Sequence, residues 1–241
     1  MIKVENFNIS FEDNHVLSDI NIEIPKGKFT VILGHSGSGK SVLIKSVIGL
    51  FRHFTGLIKL DDKIIDYSNN QEVYALRKRV GMLFQSGALF DSMDVYQNIA
   101  FPLFEHSKLK EKEIEAKVAF LLEKVNLPNI ESKYPAELSG GMKRRVALAR
   151  AISMEPDYLI YDEPTTGLDP VTTKGIVNLI DSLHGKVINS SCVITHDFLS
   201  FSKLCEHLIV LDKGKCLYSG KYSQDIIERE DIRPLVNINQ S

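Results

Sequence analysis

Apolar positions along the chain follow two spacings that predict different elements. Seven short runs rich in β-branched and other apolar residues predict strands, at residues 16–24, 29–34, 56–60, 79–84, 158–162, 191–195 and 207–212. Between them, apolar residues recur at helical spacing, most clearly at residues 41–50, 111–126, 141–153 and 171–183. Short apolar strands that alternate with helices predict an α/β fold with a mostly parallel core sheet. The β-rich first 30 residues predict an added antiparallel β layer.

The strand pattern stops between residues 86 and 157, where KLKEKEIEAKVAFLLEKVNL predicts an amphipathic helix with a charged outer face. We interpret this stretch as a helical subdomain inserted into one domain of residues 1–241. The core subdomain is then formed by about residues 1–85 and 158–222. The tail, about residues 223–241, ends in polar residues and is expected to be mobile.

Composition narrows the class of protein. The 29 Lys and Arg residues nearly balance the 31 Asp and Glu residues, for a net charge of −2, so no overall basic field indicates a nucleic-acid partner. The three cysteines have no Cys-x-x-Cys spacing, which favours reduced thiols that fill the core. The sequence has no signal-peptide pattern and no apolar run near the roughly 20 residues that cross a bilayer. We therefore expect a soluble chain whose membrane role, if any, requires a partner.

The stretch GHSGSGKS, residues 34–41, directly follows a predicted strand. Gly34, Gly39, Lys40 and Ser41 satisfy the spacing G-x-x-x-x-G-K-[ST], in which backbone N–H groups surround a phosphate and the lysine reaches its outer oxygens. A helix is predicted immediately behind the loop, so strand, loop and helix occur in the order that a phosphate site requires. The alternative, a turn whose Gly and Ser residues merely end a strand, is disfavoured by this spacing.

A second candidate lies where the run YLIYDEP reaches Asp162 and Glu163. Ligands bind at the carboxyl ends of strands in open α/β sheets, so we expect both carboxylates to face the same crevice as the glycine loop. Asp162 is suited to hold Mg²⁺ through its water shell, and Glu163 to orient and deprotonate an attacking water. Alone, the pair is equally compatible with surface carboxylates, but the phosphate loop favours the functional interpretation.

A third candidate is the run ELSGGMKRRVALARAI, in which Ser139, Gly140 and Gly141 precede a predicted helix. A capping serine and free backbone amides make an anion site that is distinct from residues 34–41. One chain has no obvious need for two phosphate sites, whereas two chains that share nucleotides do. Alone, the stretch would be interpreted as an ordinary capped helix with a basic face of Lys143, Arg144 and Arg145.

Taken together and in this order, the motifs resemble those of the ATP-binding cassette (ABC) ATPases over essentially the entire chain. GHSGSGKS is similar to the Walker A loop, LSGGM to the family signature, YLIYDEP to Walker B, GLDP (167–170) to the D-loop and ITHD (194–197) to the switch-histidine segment. The resemblance matches Gln85 in MLFQSG to the Q-loop and Phe11 to an aromatic that stacks on adenine. It implies a P-loop NTPase fold of ABC-ATPase type, with ATP and Mg²⁺ as ligands.

The resemblance also implies a homodimer that holds two ATP molecules between Walker A of one subunit and the signature of the other. The catalytic residues it implies are Glu163 and His196, and the metal ligands are Ser41, Gln85 and Asp162. The nucleotide-binding residues it implies are Phe11, Gly34, His35, Ser36, Gly37, Ser38, Gly39, Lys40, Ser41, Val42, Gln85, Ser139, Gly140, Gly141 and Asp162. Met142 replaces the glutamine that commonly ends the signature, which removes an amide donor but leaves the backbone N–H groups. We expect activity to survive this change.

The segment after Gln85, SGALFDSMDVYQNIAFPLFEH, faces the membrane subunit in this family. With Met142 and the late DIRPLV, it resembles the ATPase subunits of Mla-type phospholipid transporters, bacterial systems that work with MCE-domain substrate-binding proteins. The apolar residues that we expect either to form a groove for a short partner helix or to pack the helical subdomain are Leu89, Phe90, Val95, Ile99, Phe101 and Leu103. The resemblance implies an integral-membrane permease and an MCE-domain lipid-binding protein as partners, and a peripheral location on the cytoplasmic face of the bacterial inner membrane.

Other function classes explain the sequence less well. Cassette ATPases of DNA repair or translation usually carry coiled-coil arms, zinc inserts or a second cassette, and none is visible in these 241 residues. A purely regulatory nucleotide-binding protein would be expected to lack Lys40 or Glu163. Amino-acid import, lipoprotein export and the cell-division complex remain alternatives to lipid transport, because the contacts that select cargo belong to other polypeptides.

Overall fold

The computed structural model describes residues 1–12 and 14–236. The strands are β1 (Ile2–Phe11), β2 (Asn14–Ile24), β3 (Phe29–Leu33), β4 (Thr55–Leu60), β5 (Lys63–Ile64), β6 (Val80–Leu83), β7 (Tyr158–Asp162), β8 (Ser190–Thr195), β9 (His207–Asp212) and β10 (Lys215–Lys221). The helices are α1 (Lys40–Val47), α2 (Asn70–Arg79), α3 (Val95–His106), α4 (Glu111–Lys124), α5 (Gly140–Ile152), α6 (Pro170–Leu183), α7 (Phe198–Phe201), α8 (Gln224–Glu228) and α9 (Arg233–Val236). A short 3₁₀ turn at Pro135–Glu137 precedes α5.

The core sheet has six strands in the order β10-β9-β3-β8-β7-β6. The five strands from β9 to β6 are parallel, and β10 pairs antiparallel with β9 at one edge. Every residue of the central strands β3, β7 and β8 is buried, as expected for strands that are covered on both faces. Because the strands are parallel, the loops after β3, β6, β7 and β8 emerge at one edge of the sheet. The mostly parallel core sheet is confirmed.

A second sheet of four antiparallel strands, in the order β2-β1-β4-β5, forms the predicted antiparallel layer. The strand β1 was not resolved from the general β-rich character of the N-terminus, and it pairs with both β2 and β4. The buried residues of β1 are Ile2, Val4, Phe7 and Ile9, which follow the two-residue period of a strand except at the register shift between Val4 and Phe7. This sheet therefore packs one apolar face against the core domain.

Two apolar clusters lie on opposite faces of the six-stranded sheet. On β3, Val31 and Leu33 join the cluster formed with α3 to α7, whereas Ile32 joins the cluster beneath the antiparallel sheet and α1. This alternation is the two-residue period of a strand whose faces both contact apolar layers. Strand β3 is therefore packed on both faces, which fixes the end of the strand where the next loop begins.

Helices α3, α4 and α5 lie between β6 and β7 in the sequence, and no strand occurs there. The exact subdomain boundaries stay a prediction. Helix α3 carries four of the apolar residues that were considered for a groove, and three of them, Val95, Ile99 and Leu103, are buried in the core. For these residues the packing alternative is correct, and the groove expectation is wrong. Phe90 and Phe101 remain exposed on the surface.

Two further expectations differ from the structure. The helix predicted to continue to Leu50 ends at Val47, because Gly49 adopts a positive φ of 74° and Leu50 is exposed. The tail expected to be mobile from about residue 223 instead forms α8 and α9. Ile232, Leu235 and Val236 are buried in the core, so apolar burial orders this part of the tail. The expectation for residues 237–241 lies outside the described residues.

The three cysteines are free, and Cys192 and Cys205 are buried as predicted for core residues. Burial raises the pKa of the Cys205 thiol to about 12, so that thiol is protonated and unreactive at neutral pH. Within residues 1–12 and 14–236, no helix has the length and apolar character needed to cross a membrane.

Candidate active site

The glycine loop connects β3 to α1, as the sequence order predicts. A Cβ atom on Gly34 would lie 2.2 Å from the carbonyl oxygen of Leu211, so a side chain there would collide with the neighbouring strand. Gly39 has a φ of 96°, and a Cβ on it would lie 2.4 Å from Leu17 Cδ2. These two glycines are therefore required by close backbone approach and by conformation.

Lys40 begins α1 and is only 5% exposed. Its Nζ donates hydrogen bonds to the carbonyl oxygens of Gly34 (2.7 Å) and His35 (2.8 Å), and lies 3.9 Å from Glu163 Oε1. Burial lowers the pKa of Lys40, and the nearby carboxylates of Glu163 and Asp162 oppose that shift. The loop therefore holds a desolvated ammonium group at its mouth, where a phosphate oxygen is a suitable partner.

Asp162 is the last residue of β7 and is buried beside the loop. Its Oδ1 accepts a 2.9 Å hydrogen bond from the Ser41 hydroxyl. Burial raises the pKa of Asp162, whereas the Ser41 hydrogen bond and Lys45 oppose the shift. A hydroxyl and a carboxylate held in contact are oxygen ligands of the kind that Mg²⁺ uses together with substrate phosphates. In the described part of the chain, no group of three or more His, Cys, Asp or Glu side chains forms a larger metal cluster.

Glu163 follows β7 with a φ of 49°, a left-handed conformation that is uncommon for a glutamate. Its backbone N–H donates to Ile194 O (3.0 Å), which fixes the turn against β8. Its Oε2 accepts a 2.9 Å hydrogen bond from the Thr166 hydroxyl and lies 2.9 Å from Nδ1 of His196. Strained backbone that is held by several contacts is common at functional sites.

A cavity of about 370 Å³ opens at this edge of the core sheet. It brings together nine of the predicted site residues, namely Ser36, Gly37, Gly39, Lys40, Ser41, Val42, Gln85, Glu163 and His196. Val16 and Thr166 also line it but were missed from the sequence. Neither residue belongs to a short sequence motif of its own. The place of Thr166 in the site follows from its tertiary hydrogen bond to Glu163. Gly34, Ser38 and Asp162 are buried behind the lining, in the loop itself or at the end of β7, whereas His35 is exposed in the loop and does not line the cavity.

Phe11 does not line this cavity. Its ring packs edge-on against Phe51 at a centroid distance of 5.1 Å, and it remains partly exposed at the end of β1. Its assignment as the adenine-stacking aromatic stays a prediction.

Ser139 caps α5, as predicted, and its Oγ accepts a 3.3 Å hydrogen bond from Met142 N–H. Gly140 and Gly141 form the first turn of the helix and do not just precede it. None of these residues lines the phosphate-loop cavity, so one chain does not bring the two anion sites together. Their assignment to a partner's nucleotide stays a prediction. The Met142 side chain packs against the core and does not line the phosphate-loop cavity.

The loop, the buried lysine and the two carboxylates at one sheet edge define a nucleotide site of the P-loop class. The family model for the ABC transporter matches residues 17–166. The chain is 38% identical to the intermembrane phospholipid transport system ATP-binding protein MlaF of Haemophilus influenzae, over 97% of this chain and 88% of that protein. It is also 38% identical to the methionine import ATP-binding protein MetN of Clostridium tetani, over 99% of this chain and 78% of that protein.

Two solved structures are similar over nearly the whole chain. One is cbiO1 of Clostridium perfringens, part of the ABC transporter complex cbiONQ, with 34% identity, a TM-score of 0.85, and coverage of 99% of this chain and 95% of that chain. The other is the ATP-binding cassette MJ0796, a dimer in a post-hydrolysis state with ADP and Pi, with 27% identity, a TM-score of 0.82, and coverage of 92% and 98%. The chain therefore belongs to the ABC transporter family, as an ATP-binding subunit.

Proposed function

We propose that this subunit hydrolyses ATP at the cavity between the glycine loop and the end of β7, and that it powers phospholipid transport of the Mla type. The observation that carries the catalytic part is the arrangement around Glu163. Its Oε2 is bound by Thr166 and His196, and its Oε1 lies 3.9 Å from the Lys40 ammonium. A carboxylate held in this way is suited to accept a proton from a water molecule at the adjacent phosphate.

The other side chains then bind and orient the nucleotide. Lys40 exchanges its two carbonyl partners for the outer phosphate oxygens, and the loop amides hold the inner ones. Ser41, Asp162 and Gln85 hold Mg²⁺, which supplies neutralisation of phosphate charge when it is bound. His196 contacts the terminal phosphate from the side of β8 and keeps Glu163 in place.

We further propose that the working form is a homodimer in which Ser139, Gly140 and Gly141 complete the partner's site. The support is the separation of these residues from the cavity within one chain, together with the exposed N-terminus of α5. A helix N-terminus with a serine cap is an anion site. The similar MJ0796 cassette is dimeric with ADP and Pi, which makes the same assembly reasonable here.

An apolar groove of about 700 Å³ supports docking to an integral-membrane permease. Part of its lining, including Phe90 and Phe101, belongs to the segment after Gln85. The lining also includes Leu50, Phe84, Pro102 and Met154. Phe90 is 44% exposed and Phe101 is 37% exposed, and the centroids of their rings lie 5.4 Å apart. Arg77, Lys78 and Arg150 also line the groove, and its described lining contains no carboxylate. An amphipathic helix with apolar and acidic side chains is the partner that fits this surface.

The lipid cargo is supported by the similarity to the Haemophilus phospholipid transport subunit over most of both chains. On this proposal the ATPase lies on the cytoplasmic face of the bacterial inner membrane, held there by the permease. An MCE-domain lipid-binding protein works in the same complex. The similar methionine import subunit makes amino-acid import the second candidate.

The test of catalysis compares Glu163→Gln with wild-type protein. Glutamine retains the size of the side chain but lacks the basic carboxylate, so ATP binding should persist while the turnover rate falls about 10²-fold or more. Lys40→Ala serves as the comparison, because it should weaken nucleotide binding itself. Near-normal turnover in Glu163→Gln would show that another group is the base.

A further inference from the structure

Arg144 lies in the second turn of α5 and binds two loops at once. Its Nη1 donates hydrogen bonds to the carbonyl oxygens of Pro164 (2.6 Å) and Thr166 (3.2 Å). Its Nη2 donates to the carbonyl oxygen of Gln85 at 2.5 Å. Burial lowers the pKa of Arg144, but a guanidinium group stays protonated at neutral pH. Three carbonyl oxygens therefore surround a permanent, partly desolvated charge.

The two loops that Arg144 holds carry the residues proposed for hydrolysis. Gln85 lies in the loop after β6, and Glu163 begins the loop after β7. Thr166 connects the arginine to the base, since its carbonyl oxygen binds Arg144 and its hydroxyl binds Glu163 Oε2 at 2.9 Å. A shift of the guanidinium would therefore move both loops.

A second arginine on the same helix offers a contrast. Arg150 donates to the carbonyl oxygens of Gly87 (3.0 Å) and Ala88 (2.8 Å), and Asn98 holds the same segment further along through Phe90. These contacts fix the loop after β6 to Arg150 of α5 and to Asn98 of α3, but they do not involve the loop after β7. Arg144, by contrast, binds the loop after β7 as well as the loop after β6. Its contacts therefore fix the position of Gln85 relative to that of Glu163.

We infer that Arg144 is a positioning residue for ATP hydrolysis, which fixes Gln85 and Glu163 relative to each other through the backbone of their loops. This inference rests on the proposed function, because it presumes that Glu163 is the base. The planar guanidinium is essential to it, since one rigid fork donates in two directions at once. A lysine at this position carries the charge and the stem, but its single ammonium group cannot reproduce the fork.

The kinetic test uses full-length Arg144→Met and Arg144→Lys, with Lys143→Met as the control for loss of a charge from the same helix. Small misplacements of reacting groups cost large factors in rate. We expect both Arg144 variants to lose about tenfold or more in kcat, with KM for ATP within about threefold of wild type. Lys143→Met should keep both constants. A lysine variant with wild-type kcat, or a loss that appears entirely in KM, would contradict positioning by the guanidinium.

Hydrogen exchange of the nucleotide-free proteins gives a readout that does not depend on turnover. Arg144→Met should speed exchange in peptides covering residues 84–88 and in those covering 163–168, whereas Lys143→Met should leave both at wild-type rates. Faster exchange in one loop only, or throughout the protein, would refute the joint role.

Wild-type protein and Glu163→Gln are assayed in parallel. If wild type hydrolyses no ATP, or Glu163→Gln hydrolyses it normally, the proposed function fails and the inference fails with it. If those two behave as expected and Arg144→Met turns over normally, only the inference fails.

Discussion

The hydroxyl of Ser41 donates a 2.9 Å hydrogen bond to Oδ1 of Asp162, which lies 121 residues further along the chain. The contact joins the first turn of α1 to the end of β7 and brings two side-chain oxygens together next to the glycine loop. Burial nevertheless raises the pKa of Asp162. The ionised carboxylate therefore lowers the free energy of unfolding of the protein. On the proposed function, a bound Mg²⁺ would offset that cost.

Asp162→Asn should therefore stabilise the protein in the absence of nucleotide and metal. Asparagine still accepts the hydrogen bond from Ser41, but it has no charge to desolvate. A gain of about 1 kcal/mol corresponds to a rise in Tm of roughly 2–4 °C for a chain of this size. The same variant should lose the additional stabilisation that Mg²⁺ gives over ATP alone. Thermal unfolding with and without ATP and Mg²⁺ measures both effects, and a lower Tm without ligands would contradict this account of the buried charge.

Mixing two inactive variants tests whether sites are shared between subunits. Ser139→Arg blocks the signature and Lys40→Ala disables the glycine loop, so neither variant should form a working site alone. In a mixed dimer, the loop of the first chain meets the signature of the second, and one intact site results. Equal mixing should recover roughly a quarter of wild-type turnover, because half of the dimers carry one site of two. If two folded variants that associate recover none, the shared-site arrangement is wrong.

The site elements that are local in sequence were predictable, and those that depend on tertiary contact were not. The glycine loop and YLIYDEP carry their chemistry in consecutive residues, and β3, β7 and β8 are continuous apolar runs. Helix α3 was not predicted as a separate helix, and it contains Pro102 in its interior. Arg144 was assigned only to a basic face, because its acceptors at Gln85 and Pro164 lie 59 and 20 residues away. The position of Ser139 relative to a nucleotide cannot follow from one chain.

Two partly buried histidines should make the protein less stable in mild acid. Burial lowers the pKa of His184 and of His207, and Nε2 of His207 has no hydrogen-bond partner among the described residues. The unfolded chain, in which histidine has a pKa of about 6.5, then binds more protons than the folded chain near and below that pH. The free energy of unfolding should thus decrease as pH falls from about 7 to about 5.

The variants His184→Gln and His207→Gln should make this decrease shallower, since glutamine does not titrate. His53→Gln is the control, because His53 is exposed. Urea unfolding at several pH values provides the comparison. An unchanged slope in both variants would assign the acid sensitivity to carboxylates instead.

The apolar groove offers the test of cargo. If Phe90 or Phe101 is buried by a permease helix, each ring could contribute roughly 1.5–3 kcal/mol to docking, so Phe90→Ser or Phe101→Ser should weaken it about tenfold or more. Phe104 is on the same helix as Phe101 and is 52% exposed, but it lies outside the groove lining. Phe104→Ser is therefore the matched control and should dock normally. Each variant must first keep its Tm and its ATP binding.

Docking is measured as retention on membranes that contain an Mla-type lipid permease, and on membranes that contain an amino-acid permease of a similar transporter. Charged lining residues Arg77, Lys78 and Arg150 should favour a permease helix with carboxylates, so retention should decrease at high salt. Preferential retention on the lipid permease, lost in Phe90→Ser and kept in Phe104→Ser, is the expected result. Equal retention on both membranes would refute a lipid-specific partner, because the groove would then recognise features that all such permeases share.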